Sequence, residues 1–443
     1  MIATTQDVVP VTVDENACPS EARTVVALGA WTALIAVASS WGAVLLHAHV
    51  HMQIGAPPLT GAVAWRPDPA LGAVTALGVV CAWTLPGALE RLRWRVLLVA
   101  TPAIAAGWTI AINAVDGWSA LTTPVHTEYA ATAAAITSPG RFLHDLLAHP
   151  SSFNIHTRGH PPGLPLLLWA LRPLGVSNTA TVATLYVLVG VAAIPAVLLA
   201  VADVSGRPAA RAAAPFFVLF PGAIWVATSA DALFSGVAAW AVALVVLATG
   251  RHDRRGDVLA VTGGVLFGIT AFLSYGLVLL AVVPVAVSAW RRRVRPLVLA
   301  VLGAAPVFLG FAAAKFWWVD GWRVTRHAYA AGVARRRPYS YFLVADIAAF
   351  ALVVGPAAAA GLASLRQRGI AIVTSAALLA VALADVSGMS KGEVERIWLP
   401  FAPWVLVATA ALPPTRRGRT THALLLLQVA TAVGIQALVR SPW

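Results

Sequence analysis

Lysine is almost missing from this sequence. Lys315 and Lys391 are the only two, so the 31 basic residues include 31 − 2 = 29 arginines. Charged residues of either sign make up 11% of the 443 positions, against about 25% in a soluble globular chain. That scarcity excludes a water-soluble domain with a charged shell. Cysteine is reduced to Cys18, in a polar N-terminal stretch, and Cys81, inside an apolar run, which leaves no basis for a disulfide or a cysteine-held metal. No P-loop, Gly-rich dinucleotide fingerprint or HExxH motif is present, so an ATP, nucleotide-sugar or zinc-protease site is hard to place. Soluble domains, low-complexity tracts and short repeats are missing as well.

What is present in their place is apolar. Hydrophobic residues are 59% of the chain and the mean hydropathy is +0.79. Runs of about 20 apolar residues recur along nearly the whole length, which implies an all-α polytopic membrane protein. The tail, residues 1–23, is acidic and lacks the basic start of a cleaved signal peptide, so it is expected to stay cytoplasmic before an uncleaved first span. Residues 24–443 then form a single membrane domain with about thirteen transmembrane helices. They run roughly over 24–47, 71–88, 95–113, 178–201, 212–229, 230–249, 257–273, 274–290, 296–316, 342–363, 369–387, 397–412 and 420–438. With the N-terminus inside, the inner loops collect Arg91, Arg93 and Arg95, Arg207 and Arg211, Arg251, Arg254 and Arg255, Arg291 to Arg293 and Arg295, Arg366 and Arg368, and Arg416, Arg417 and Arg419. The net charge of +13 is therefore read as the positive-inside bias of a plasma-membrane protein, not as a nucleic-acid surface. This topology requires that 161–175 not cross. Its apolar run is about 14 residues, which suits an interfacial or re-entrant helix.

The longest polar interruption, 116–163, lies in an outer loop over 114–177. It holds Asp116, His126, Glu128, Tyr129, His144, Asp145, His149, His156, Arg158 and His160. Acids, imidazoles and an arginine gathered at one membrane face suit proton and anion chemistry. Glu128 could act as general base toward an acceptor hydroxyl, or it could be a solvated acid starting a surface helix. Asp116, in Ala-Val-Asp-Gly-Trp, could be the base or a turn residue. His156, Arg158 and His160 precede Pro-Pro-Gly and could stabilise a phosphate leaving group, or could serve as interfacial anchors. Asp231 reads either as a site acid or as an N-cap, and Tyr275 either as a site residue or as an interfacial aromatic. Two outer segments carry basic residues against the topogenic bias: 317–341, with Arg337, and 385–398, with Lys391, Glu393, Glu395 and Arg396. Phosphate binding or internal ion pairing would account for both.

The order of these features resembles the GT-C superfamily of integral-membrane glycosyltransferases, in the protein mannosyltransferase and aminoarabinose transferase branch. The resemblance is carried by Glu128-Tyr129-Ala130-Ala131, by His160-Pro161-Pro162-Gly163-Leu164-Pro165, by Pro221 through Asp231, and by Gly263 to Gly268 through Ser274-Tyr275. It covers residues 95–290 well, and the 391–398 segment looks like one in actinobacterial members. The chain departs from the family where Thr127-Glu128 stands in place of the usual Asp-Glu, which leaves Glu128 or Asp116 as the base.

The resemblance implies an outer juxtamembrane-helix loop and an inverting transfer on the outer face. The implied donor is a polyprenyl-phosphate-linked sugar such as mannose or arabinose, and the acceptor a cell-envelope glycan, glycolipid or protein. Substrate contacts are expected from His126, Tyr129, His156, Arg158, His160, Asp231, Tyr275, Arg337, Lys391, Glu393 and Arg396. No cofactor or resident metal is expected, and a divalent metal stays open. The rival reading is a non-enzymatic transporter or flippase of lipid-linked glycans, which would line a mid-membrane path with polar groups.

Overall fold

The computed structural model describes residues 21–412 and 419–442. Residues 1–20, with Cys18, and residues 413–418, with Arg416 and Arg417, lie outside the described residues. Among these residues the fold is an all-α polytopic membrane protein. Nine helices are long and apolar enough to cross a bilayer, and a bent pair makes a tenth. They are Glu21–His47, Pro69–Arg91, Trp94–Asp116, Thr179–Ser205, Asp231–Thr249, Arg254–Leu273, Arg295–Ala313, Arg368–Val386, Arg419–Leu438, and Tyr339–Val354 joined to Pro356–Leu362.

The structure does not confirm the count of thirteen, because three of the expected spans are not single helices of membrane-crossing length. Residues 212–229 divide into Arg207–Val218 and Ala223–Val226, interrupted at Pro221-Gly222. Residues 274–290 form a tighter 3₁₀ stretch, Tyr275–Ala281, before Val282–Arg291. Residues 397–412 are a chain of single turns, with every side chain from Leu399 to Ala410 buried. Irregular backbone at membrane depth persists only where protein surrounds it, and the burial of these turns against the central helices meets that condition. Asp231–Thr249 is that centre: 78% of its apolar window is buried, against 11% for Glu21–His47. Small residues allow the close approach. A Cβ at Gly236 would stand 1.8 Å from the Val189 carbonyl oxygen.

The bend between Tyr339–Val354 and Pro356–Leu362 is 99°. It falls on Gly355, whose φ of +77° is left-handed, followed by a proline that cannot donate. Gln428, fully buried, repairs the ladder. Its Nε2 donates to the Val354 carbonyl at 3.1 Å, and its Oε1 accepts the Ala357 N–H at 3.3 Å.

The polar loops sort to two ends of the bundle. At one end Arg211 donates to the Leu89, Glu90 and Leu92 carbonyls, and Arg291 pairs with Asp203 at 2.6 Å. At the other end residues 52–60, 128, 229–231, 325–346 and 391–396 meet. The Glu128 carboxylate accepts the Ala230 N–H there, so an even number of crossings separates the two. Thr179–Ser205 leaves that end and 207–226 returns to it. The apolar helix over Gly163–Leu174, about 18 Å long at 1.5 Å per residue, is too short to add a third.

Candidate functional site

Glu128 lies in a single π-helical turn, His126–Ala130, between the short helices Thr123–Val125 and Ala131–Ala135. A π turn adds a residue to the coil and turns a side chain off its regular face. The Asn154 amide holds this turn by donating to the Glu128 carbonyl at 2.8 Å. The result is an acid turned inward: Glu128 is 1% exposed, not a solvated surface acid. Its Oε2 accepts the Ala230 N–H at 3.0 Å, and its Oε1 lies 3.8 Å from Arg396 Nη1. Burial pushes the carboxyl up to about 7. The Arg396 charge opposes that rise and Asp231 adds to it.

Arg396 is the hub. Its Nη1 donates to Asp231 Oδ2 at 2.9 Å and its Nη2 to Glu393 Oε2 at 2.9 Å. Asp231 is not an N-cap. It opens its helix with a buried carboxylate, which accepts from Ser229 Oγ at 2.7 Å and pairs with the guanidinium. Glu393 continues the chain to Arg337, whose Nη2 is 3.5 Å from Glu393 Oε1. Arg337 in turn donates from Nε to the Met52 carbonyl at 2.9 Å and from Nη1 to the Lys391 carbonyl. A run of alternating charge, Glu128–Arg396–Glu393–Arg337, with Asp231 alongside, is thus assembled from four separate loops.

Three expected residues border this run. Tyr129 is buried and meets the His156 and His160 rings edge-on, at 6.1 and 5.9 Å between centroids. Burial, with the Arg396 charge second, lowers His156 to about 3. His160 is also lowered, chiefly by burial. Both imidazoles are therefore neutral near pH 7. His160 Nδ1 donates to the His156 carbonyl at 3.0 Å, which leaves Nε2 as the acceptor nitrogen.

The other candidates sit elsewhere or act through the backbone. Asp116 is in a second polar cluster, paired with Arg66 and accepting from Gln436 Nε2 at 2.7 Å. Arg158 contributes its carbonyl, which accepts from Thr325 Oγ1 at 3.2 Å. The Lys391 amine donates to the Ala334 and Arg337 carbonyls and pins the loop. Tyr275 packs edge-on against Trp318, 5.2 Å between centroids. The side chain of His126 lies outside the described residues. Among the described residues, no group of three or more His, Cys, Asp or Glu side chains is placed to hold a metal ion.

Two neighbours were not among the expected substrate contacts. Glu395 is fully buried, accepts the Thr60 N–H at 3.1 Å, and is pushed up to about 7 by burial. The Tyr186 hydroxyl is buried without a hydrogen bond among the described residues and lies within electrostatic reach of Glu128 and Asp231. Tyr186 carried no signal, because it sits inside an ordinary apolar span. Glu395 was visible as part of a charged cluster, but nothing marked it as buried.

Chemically, the arrangement offers a carboxyl that burial raises to about 7 beside one buried guanidinium, with a second beyond Glu393. Such a site can move a proton and hold an anion at once.

No family model matches the chain. None of the curated proteins matches it. Among solved structures, it is similar to an oligosaccharyltransferase of Archaeoglobus fulgidus, at 15% identity and a TM-score of 0.40, over 77% of this chain and 54% of that one. The chain spans about half the length of that structure.

Proposed function

We propose that the protein is a membrane glycosyltransferase that moves a sugar from a polyprenyl-phosphate donor to a cell-envelope acceptor, with inversion, on the outer face of the plasma membrane. One observation carries this reading: a buried glutamate poised near neutral pH lies beside an arginine hub at the end of the bundle opposite the basic loops. Glu128 is the general base. It takes the proton from the acceptor hydroxyl as that oxygen attacks the anomeric carbon, and the phosphate leaves with the bonding pair. Arg396 and Arg337 hold the departing phosphate, through forked donors that suit its oxygens. Neutral His160 offers a further uncharged hydrogen-bonding group to the donor. Asp231 keeps the Arg396 fork in one orientation.

Envelope glycans and lipid-linked sugars from cells with and without the gene, compared by mass spectrometry, test this reading. Loss of one sugar substituent together with build-up of its polyprenyl-phosphate donor is expected. A glycan that disappears from the outer face while its fully assembled lipid-linked form accumulates inside would favour the flippase instead. An unchanged envelope would contradict both.

A further inference from the structure

Each of the two guanidiniums of the site has a partner besides Glu393. Arg396 is fixed by Asp231 at 2.9 Å, and Arg337 by the Met52 and Lys391 carbonyls. Glu393 bridges them with one oxygen each, at 2.9 and 3.5 Å. It is also the most accessible member of the run: its side chain is 24% exposed, against 4% for either arginine. Its backbone is strained, with φ at +65° in the left-handed region, and it follows Gly388 and Gly392, which also have positive φ. A carboxylate held between two buried arginines, on a segment of unfavourable backbone, has the geometry of a substitute anion.

We propose that Glu393 is an internal occupant of the anion site, and that the phosphate of an incoming lipid-linked donor displaces it from Arg337 and Arg396. This rests on the glycosyltransferase reading and names what the donor must do on arrival. The formal charges support an exchange over an addition. Arg337 and Arg396 give +2, and Glu393 and Asp231 give −2, so while Glu393 is in place the set is neutral with Glu128 protonated and −1 with Glu128 ionised. Adding a phosphate to it would bury uncompensated negative charge. With Glu393 swung toward solvent the remainder is 2 − 1 = +1 with Glu128 protonated, which matches the single charge of a phosphodiester, and 2 − 2 = 0 with Glu128 ionised; in either state the exchange buries one negative charge fewer than an addition would. The carboxylate also keeps the arginines from repelling one another before donor binds. Glu393 is thus a specificity residue: a ligand without a strong anion, such as a free polyprenol, has nothing with which to replace it.

The test is equilibrium binding of farnesyl phosphate, farnesol and inorganic phosphate to full-length protein in detergent, for wild type, Glu393→Gln, Glu393→Gly and the exposed control Asp320→Asn. Glu393→Gln should bind farnesyl phosphate about tenfold more tightly than wild type, the equivalent of about 1.4 kcal/mol. Asp320→Asn should stay within about twofold, and farnesol affinity should be unchanged in all, since a surface charge is screened and an alcohol carries none. Glu393→Gly suits the left-handed backbone and should fold and behave as the Gln variant does. Equal or weaker farnesyl phosphate binding by folded Glu393→Gln overturns the inference, as does failure of both variants to fold, which would make the carboxylate a structural strut. Inorganic phosphate binding as tightly as farnesyl phosphate overturns the lipid assignment. If no form of the protein binds farnesyl phosphate, the glycosyltransferase reading itself fails and the inference falls with it.

Discussion

Glu128 and Asp116 were equal candidates for the base on spacing alone, and the structure separates their surroundings. Glu128 is sealed against Arg396, whereas Asp116 is half-exposed and tied to Arg66 and Gln436. Glu128→Gln should reduce transfer by about two to four orders of magnitude. Asp116→Asn should leave transfer within about threefold and act on stability instead, since it loosens a partly exposed charge pair of at most about 1 kcal/mol. Initial-rate measurements on both variants check this. The pH dependence follows from the same residue. A base must be ionised to work, and burial raises Glu128 to about 7, so the rate should climb as pH rises through about 7 and then level. Stability runs the other way. The folded carboxyl holds its proton more tightly than the unfolded one, so this group favours the fold below the ordinary carboxylate range and loses that advantage as pH rises to about 7. Glu395 titrates in the same range, and Glu395→Gln distinguishes the two: the activity limb should survive it. Parts of the site were legible before the structure. An acid followed by Tyr-Ala-Ala, and Arg396 in an outer segment, stood out because charge is so scarce here. What could not be read was pairing. Arg396 and Asp231 are 165 residues apart, and no local pattern distinguishes a helix-opening acid that caps from one that turns inward to meet an arginine.

Helical elements were legible where lipid dictates them and obscure where protein does. Pro69–Arg91 and Arg295–Ala313 face outward and must span the hydrocarbon alone, so their length and apolarity are explicit in the sequence. Residues 397–412 are equally apolar but enclosed, and break into single turns around Pro400 and Pro403. Hydropathy counts both alike. The peripheral Arg295–Ala313 helix is held to Arg254–Leu273 by reciprocal glycine contacts: a Cβ at Gly264 would lie 2.0 Å from the Ala300 carbonyl oxygen, and one at Gly303 would lie 2.2 Å from that of Val261. Gly264→Val should therefore cost roughly 1–3 kcal/mol by forcing the backbones apart. Gly72→Ala, where a Cβ meets nothing within 4 Å, should be silent in the same thermal-shift series. At the bent pair, Gln428→Leu leaves the Val354 carbonyl and the Ala357 N–H without their partner. Each buried unsatisfied group costs about 1–3 kcal/mol, so this variant should melt well below wild type. A Tm equal to wild type would show that the bend does not need the amide.

For the molecule as a whole, the arginine pattern gave two ends, and the contacts join the loops within each end as that pattern requires. In a background free of Cys18 and Cys81, Arg335→Cys should react with a membrane-impermeant maleimide from outside intact cells, and Arg254→Cys only after the membrane is opened. The reverse labelling would invert the proposed orientation. The central claim is that the buried carboxylate and the arginine hub together transfer a sugar from a lipid phosphate. The most direct measurement is turnover by purified protein in liposomes, supplied with envelope extract as acceptor and radiolabelled polyprenyl-phospho-mannose or -arabinose as donor. The wild type should release polyprenyl phosphate and label an acceptor in equal amounts from one of these donors, and Glu128→Gln, folded and donor-binding, should do so at least about a hundredfold more slowly. Wild-type protein that binds the donors and converts neither, or a Glu128→Gln variant as fast as wild type, would contradict the account.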